Sequence, residues 1–276
     1  MQIVHVYKDY YPVLGGIENH IRMVAEEQAR RGHNVTVLVT SRGAFGETTE
    51  RNGVRLIKAG RLATVASAPV SLSLFGWLRR LPCDIAHLHF PYPIGELAYL
   101  AVGRGRRLVI TYHSDIVRQR SLLRVYAPFL HCILQRADRI MPTNQRYLET
   151  SPFLRPVTDK CTVVALGIEL DRFASADPTR VEAIQQQYGQ PLLLFVGRLR
   201  YYKGLDYLIR AMPEIPARLL VIGTGPMARP WQALVAEMKL KDKVIFLGDI
   251  EDADLPAYYH ASAIFVLPSS QRSEAY

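Results

Sequence analysis

The residues best placed to do chemistry are Arg198 and Lys203, in the stretch FVGRLRYYKGLDYLIRA. An apolar, strand-like run ends at Val196, Gly197 permits a sharp turn, and Lys203 and Gly204 stand where a helix-like run opens. A helix start already favours anions. A planar arginine fork and a lysine point charge beside it would clamp a diphosphate. The same two residues also fit a plainer reading, as surface cations flanking a turn.

Three further loops stand after strand-like runs. Gly223 and Gly225, in LLVIGTGPMARP, form a G-x-G turn that suits close backbone approach to a phosphate or sugar, or simply a tight strand-to-helix turn. Gly15 and Gly16, in YPVLGGIENH, open the first helix without a Walker lysine or a third glycine. That loop can offer bare N–H groups to a ligand, or it is a flexible turn. His113, in LVITYHSD, can donate to an oxygen, act as acid or base, or be structural. His87 and His89, in DIAHLHFPYP, alternate along a strand and read as packing; no further metal ligands follow at recognisable spacing. Glu274, in FVLPSSQRSEAY, stands at the start of a would-be helix, either turned toward a ligand or as an exposed loop acid.

These positions need a frame. The 276 residues are 49% hydrophobic and 21% charged, an ordinary globular composition with room for two domains. No signal-peptide core and no apolar run of about 18 residues occurs. Cys83, Cys132 and Cys161 are scattered, which suggests a reducing compartment and no disulfide frame. Residues 1–172 carry 23 Lys and Arg against 14 Asp and Glu, whereas residues 173–276 carry 11 of each. The net charge of +9 therefore belongs to the first part. Such a face attracts anionic membrane or phosphorylated ligands, or serves solubility. No arginine-rich run with interleaved aromatics points to nucleic acid.

Short Val/Ile/Leu-rich runs alternate with helical ones. The first part predicts strands over Ile3–Tyr7, Val35–Thr40, Val54–Lys58, Ile85–His89, Leu108–Tyr112, Arg139–Met141 and Thr162–Ala165, with helices over Ile17–Arg31 and Leu122–Gln135. The second predicts strands Leu192–Val196, Arg218–Ile222, Val244–Leu247 and Ala263–Leu267 between helices Leu205–Met212, Met227–Met238 and Leu255–Ala261. Continuous apolar strands between helices mean parallel sheets covered on both faces. The pattern predicts two Rossmann-like α/β domains, 1–172 and 173–276, facing one another across a cleft, with a polar joint near 168–190. Ligands of such sheets bind beyond the carboxyl ends of the strands.

Taken together, GGIE, TYHSD, VGRLRYYKG, VIGTGP and FVLPSSQRSEAY resemble the family-4 retaining glycosyltransferases of the GT-B fold, over essentially the whole chain. The resemblance implies a nucleoside-diphosphate sugar (GDP-, UDP- or ADP-linked) in the second domain and an acceptor in the first. A mannose- or glucose-type sugar would move, with retention, to a glycan or lipid-linked acceptor in surface polysaccharide or glycolipid synthesis. Gly197, Arg198, Lys203, Gly223 and Gly225 would hold the donor diphosphate, joined by Gly15 and Gly16; His113 would position a donor-sugar hydroxyl and Glu274 would hold others. No cofactor and no divalent metal is implied. The family motif has a second glutamate eight positions after Glu274, past Tyr276, so the chain reads as cut inside the motif, with an incomplete second domain. A fragment of that kind is expected to be inactive and prone to aggregate.

Family members that dock on membranes fit the basic first half, which places the protein in the cytoplasm, attached peripherally to the inner membrane face. In APVSLSLFGWLRRL, Leu72, Phe75, Trp77 or Leu78, and Leu81 form one apolar face beside Arg79 and Arg80, suited to a membrane or to covering a sheet. Two other classes compete. A nicotinamide oxidoreductase needs G-x-G-x-x-G after the first strand, and residues 8–18 lack it. A non-catalytic sugar-nucleotide-binding module shares every motif short of the second glutamate.

Overall fold

The structure, a computed structural model, describes residues 1–13, 15–65, 68–116, 120–168 and 170–270. The chain divides into two compact α/β units after Gly167. The boundary expected from charge and composition stood five residues later, after Arg172.

The first unit runs β1 (Gln2–Val6), α1 (Gly16–Arg30), β2 (Asn34–Thr40), β3 (Glu47–Arg51), β4 (Val54–Ala59), β5 (Ala63–Val65), β6 (Ala68–Val70), α2 (Ser73–Arg80), β7 (Ile85–Phe90), α3 (Pro93–Val102), β8 (Arg107–Tyr112), α4 (Arg120–Arg136), β9 (Arg139–Pro142) and α5 (Gln145–Thr150). Its main sheet has the order β3-β4-β2-β1-β7-β8-β9, parallel except for β3. The chain builds outward from β1 through β2 and β4, then returns to lay β7, β8 and β9 on the other side. The reversal falls between β1 and β7, the kind of place where doubly wound sheets bind ligands.

The second unit runs α6 (Asp171–Ala174), α7 (Pro178–Tyr188), β10 (Leu192–Val196), α8 (Leu205–Ala211), β11 (Arg218–Ile222), α9 (Ala228–Glu237), β12 (Val244–Gly248), α10 (Leu255–Ala261) and β13 (Ile264–Phe265). Its sheet is parallel, in the order β12-β11-β10-β13, with the reversal between β10 and β13. Side-chain alternation builds two half-cores. Leu193, Phe195, Leu219 and Val221 pack with Leu205, Ile209, Trp231 and Val235 of α8 and α9. Leu192, Leu194, Leu220 and Ile222 pack with Ile184 of α7 and with Ala257, Tyr258 and Ala261 of α10. Each fully buried Leu or Ile contributes roughly 1.5–3 kcal/mol, which is why these strands need no polar side.

Two expectations change, one strand goes beyond them, and one open alternative is decided. Thr162–Ala165 forms no strand. Thr162 and Val164 donate to the carbonyls of Ile140 and Pro142, but Pro142 has no N–H to return, so pairing stops at the single bridge between Ile140 and Cys161. Residues 178–188, expected within the polar joint, form α7, opened by Pro178 and capped by the Asp177 carboxylate on the Thr179 N–H. Strand β3, ETTER, is exposed throughout and lacks any apolar signal; it forms by pairing antiparallel with β4. In α2, Leu74 and Leu78 are buried, with Leu81 just beyond, and Phe75 and Trp77 pack against the core. That helix covers the sheet. An exposed apolar stripe lies on α4, where Leu122, Val125 and Phe129 are 51%, 74% and 48% exposed.

Candidate active site

In the second unit, Arg198 and Lys203 follow β10, beside the strand-order reversal. The extended loop backbone leads into one 3-10 turn, Tyr201–Lys203, and Gly204 opens α8. Arg198 is exposed and, among the described residues, has no hydrogen-bond or ion-pair partner. The Lys203 amine lies over Gly197, 3.7 Å from where a side chain there would begin. The segment after β13 closes on this loop: the Ser270 N–H donates to the Tyr202 carbonyl at 3.0 Å. Two cations thus stand at the carboxyl edge of the sheet, at its reversal. Glu274 lies outside the described residues.

Gly223 and Gly225 turn out to face protein backbone. A Cβ on Gly223 would lie 2.2 Å from the Gly197 carbonyl oxygen, and one on Gly225 would lie 2.5 Å from that of Leu199. Both glycines have positive φ, at 121° and 158°. The Leu199 N–H donates to the Thr224 carbonyl at 2.9 Å, and the Met227 N–H to the Leu199 carbonyl at 3.0 Å. The loop carrying Arg198 therefore rests on the glycine loop after β11.

In the first unit, Gly15 caps α1 and Gly16 begins it. The space beside Gly15 is taken by the buried Glu18 carboxylate, in the first turn of the same helix. An acid there suits the positive end of the helix dipole.

His113, just past β8, belongs to a larger group. Register places His5 of β1 opposite His87 of β7, and His89 follows on the same face. His20 of α1 stands edge-on to His89 and His113, with ring centroids at 6.0 and 5.5 Å. Five of the chain's eight histidines thus form one layer between α1 and the sheet. His5 Nε2 meets the Gln28 amide oxygen at 2.7 Å, His5 Nδ1 meets His89 Nε2 at 3.0 Å, and His89 Nδ1 meets His113 Nε2 at 3.2 Å. His87 Nε2 meets the Thr111 hydroxyl at 2.7 Å. His113 Nδ1 is buried with no partner.

Burial, with mutual repulsion, holds the layer neutral. Desolvation pulls His5 down to about 4 and His113 to about 3, and drives His87 and His89 well below the usual imidazole value; His20 is lowered by the same cause. Neutral imidazoles invite a metal, and two triads, His5–His87–His89 and His20–His89–His113, bring ring nitrogens within 4.8 Å. The ring planes argue against the first: His89 lies at 22° to His87 and 23° to His5, so their in-plane lone pairs do not converge. In the second, His89 and His113 are engaged with each other. Nearby, the Asp115 carboxylate accepts from the hydroxyls of Tyr112 at 2.6 Å and Ser151 at 2.8 Å, fixing the loop after His113.

Sequence reasoning singled out His113 and read His87 and His89 as packing. It missed His5, His20 and Gln28. The spacing of two residues between His87 and His89 was visible; that β1 and β8 flank β7 was not.

Residues 14–172 match the domain described as Glycosyltransferase Family 4, and residues 179–276 the domain described as Glycosyl transferases group 1. The chain belongs to the family-4, group 1 glycosyltransferases of the GT-B fold, and its activity is glycosyl transfer. It is 34% identical over 279 residues to the D-rhamnosyltransferase WbpZ of Pseudomonas aeruginosa, covering all of this chain and 73% of that protein. It is 32% identical over 279 residues to the O-antigen chain mannosyltransferase C of Escherichia coli, covering all of this chain and 75% of that protein. The fold is also that of sucrose-phosphate synthase from Thermosynechococcus elongatus, with a TM-score of 0.77 at 22% identity over 99% of this chain and 76% of that one. Anabaena Alr3699/HepE, solved with UDP-glucose, gives 0.76 at 17% identity over 99% and 75%. The nicotinamide oxidoreductase reading falls with the family assignment.

Proposed function

We infer that the protein transfers a manno-configured hexose from a nucleoside-diphosphate sugar to a surface-polysaccharide or lipid-linked acceptor, with retention at the anomeric carbon. The observation that carries this reading is the pair Arg198 and Lys203 at the carboxyl edge of β10, beside the reversal of strand order. Support for the sugar class comes from relatives that are a D-rhamnosyltransferase and an O-antigen chain mannosyltransferase, D-rhamnose being 6-deoxymannose. A third relative, from Mycolicibacterium smegmatis and 27% identical over 97% of this chain, is a GDP-mannose-dependent phosphatidylinositol monomannoside mannosyltransferase, which favours a guanosine donor and a lipid-linked acceptor.

In the reaction the bond from the anomeric carbon to the diphosphate breaks, its electron pair leaving with the diphosphate. The acceptor oxygen forms the new bond, and its proton passes to the departing phosphate oxygen. Arg198 and Lys203 supply preorganised positive charge where negative charge grows, the role a divalent metal fills elsewhere. His113 positions a donor-sugar hydroxyl, and Glu274 and Gly16 complete the donor contacts. The basic first unit, with the apolar stripe of α4 flanked by exposed Arg124 and Arg136, suits the surface of an anionic membrane. No described helix is long and apolar enough to cross one.

Release of nucleoside diphosphate from GDP-mannose, GDP-rhamnose, UDP-glucose and ADP-glucose tests the reading. Turnover is expected with the guanosine donors; turnover confined to UDP-glucose or ADP-glucose would overturn the sugar assignment.

A further inference from the structure

We propose that Gln28, His5 and His89 form a hydrogen-bonded file that fixes the tautomer of His113, leaving its Nδ1 as a bare acceptor, so that the donor-sugar hydroxyl placed there must donate to it. The proposal rests on the reading of His113 as a donor-sugar contact. The file itself stands on geometry alone.

A neutral imidazole has one donor and one acceptor nitrogen. The end of the file decides which is which. The Gln28 amide oxygen accepts, so His5 Nε2 carries a proton and His5 Nδ1 accepts. His89 Nε2 then donates to His5, which leaves His89 Nδ1 to accept from His113 Nε2. His113 Nδ1 is what remains: a buried lone pair with no partner, on the residue that follows β8 at the carboxyl edge of the sheet. A buried polar atom without a partner carries an uncompensated desolvation cost, and a ligand hydroxyl would offset it.

The direction of the file could be reversed from one point. A donor at position 28 would make His5 Nε2 the acceptor and flip each ring's proton in turn, so that His113 Nδ1 became an N–H. Gln28, His5 and His89 are therefore positioning residues, some distance from the group whose chemistry they set. Other polar elements touch the layer without joining this file. His20 contacts it through ring edges, and His87 is engaged with Thr111.

The test uses histidine labelled with nitrogen-15 in the whole chain at neutral pH, with Gln28→Glu and Gln28→Lys as variants. A glutamate can only accept at pH 7, so it keeps the direction; a lysine can only donate, so it reverses it. The expected result is a proton on His113 Nε2 in the wild type and Gln28→Glu, and on Nδ1 in Gln28→Lys. With the donor, Gln28→Lys should lose tenfold or more in kcat/KM, the size of one mismatched hydrogen bond, and Gln28→Glu should stay near the wild-type value. A wild-type proton on Nδ1, a His113 tautomer indifferent to Gln28→Lys, or a stoichiometric metal bound to the purified layer would each overturn the file. If the tautomers respond as expected but His113→Ala transfers sugar at the wild-type rate, the file stands and the donor-sugar role of His113 falls.

Discussion

One oxygen of the Glu18 carboxylate lies 2.1 Å from the point where a Cβ on Gly15 would stand. The absence of a side chain at Gly15 and the inward fold of Glu18 are therefore one feature. Gly15→Ala forces the carboxylate away from the helix start, at a cost of about 1 kcal/mol, the usual size of a lost helix-end interaction. The melting temperature should fall by about 2–4 °C. In a Glu18→Ala background the clash is gone, so Gly15→Ala should then cost almost nothing. Additive effects in a double-mutant cycle would contradict the coupling.

In the full-length protein, Arg198→Ala and Lys203→Ala should each lower turnover about 100-fold or more while leaving the melting temperature within a few degrees. Arg198 is exposed and unpartnered among the described residues, so its removal leaves no orphan in the protein. Thermal unfolding beside a diphosphate-release assay separates the two effects. Wild-type turnover in a folded variant would remove the cation from the donor site.

The histidine layer makes the first unit acid-sensitive. Each of the five imidazoles protonates less readily when folded than its ordinary value of about 6.5 allows. Above pH 7 all are neutral in both states and contribute nothing. Below about 6.5 the unfolded chain binds protons that the folded chain refuses, so stability falls as pH drops toward 3–4. The slope approaches about 1.4 kcal/mol per pH unit for each imidazole. Glu96 opposes this: burial raises its carboxyl to about 7, so the folded state binds a proton there that the unfolded state lacks until about 4.5. One carboxyl against five imidazoles leaves the sign unchanged. Urea unfolding at pH 7.5 and 5.5 should show a loss of several kcal/mol; a flat profile would mean that the layer is hydrated.

The membrane reading now rests on α4. Co-sedimentation with vesicles rich in anionic lipid should be strong at low salt and fade as screening shortens the field to about 8–10 Å. Phe129→Glu should weaken it; Leu72→Glu, outside the α4 stripe, should matter less. Equal partition of the wild type onto neutral vesicles would eliminate electrostatic docking.

Most of the sheet was legible in the chain, since short apolar runs such as Leu192–Val196 and Ile85–His89, alternating with helical stretches, read as strands of a covered parallel sheet. What escaped depended on partners distant in sequence. Glu47–Arg51 has no apolar alternation and is a strand because β4 offers a free edge. Residues 162–165 look like a strand and are not, because a proline on the neighbouring strand cannot answer. The place of Arg198 and Lys203 just after a strand could be read from the chain, since that pattern is local. The histidine layer could not: it exists only because β1, β7 and β8 lie side by side, an order that no local pattern encodes. The setting of Gly223 and Gly225 points the same way, for their nearest neighbour is another loop of the protein.

That contact between loops has a practical consequence. The segments after β10 and β11 touch backbone to backbone at two glycines and share two hydrogen bonds, so they form a single interchangeable part. Anyone transplanting these loops between relatives would have to move residues 197–204 and 223–227 together. A graft of either one alone would meet a neighbour shaped for something else, and the first symptom would be a misfolded second unit.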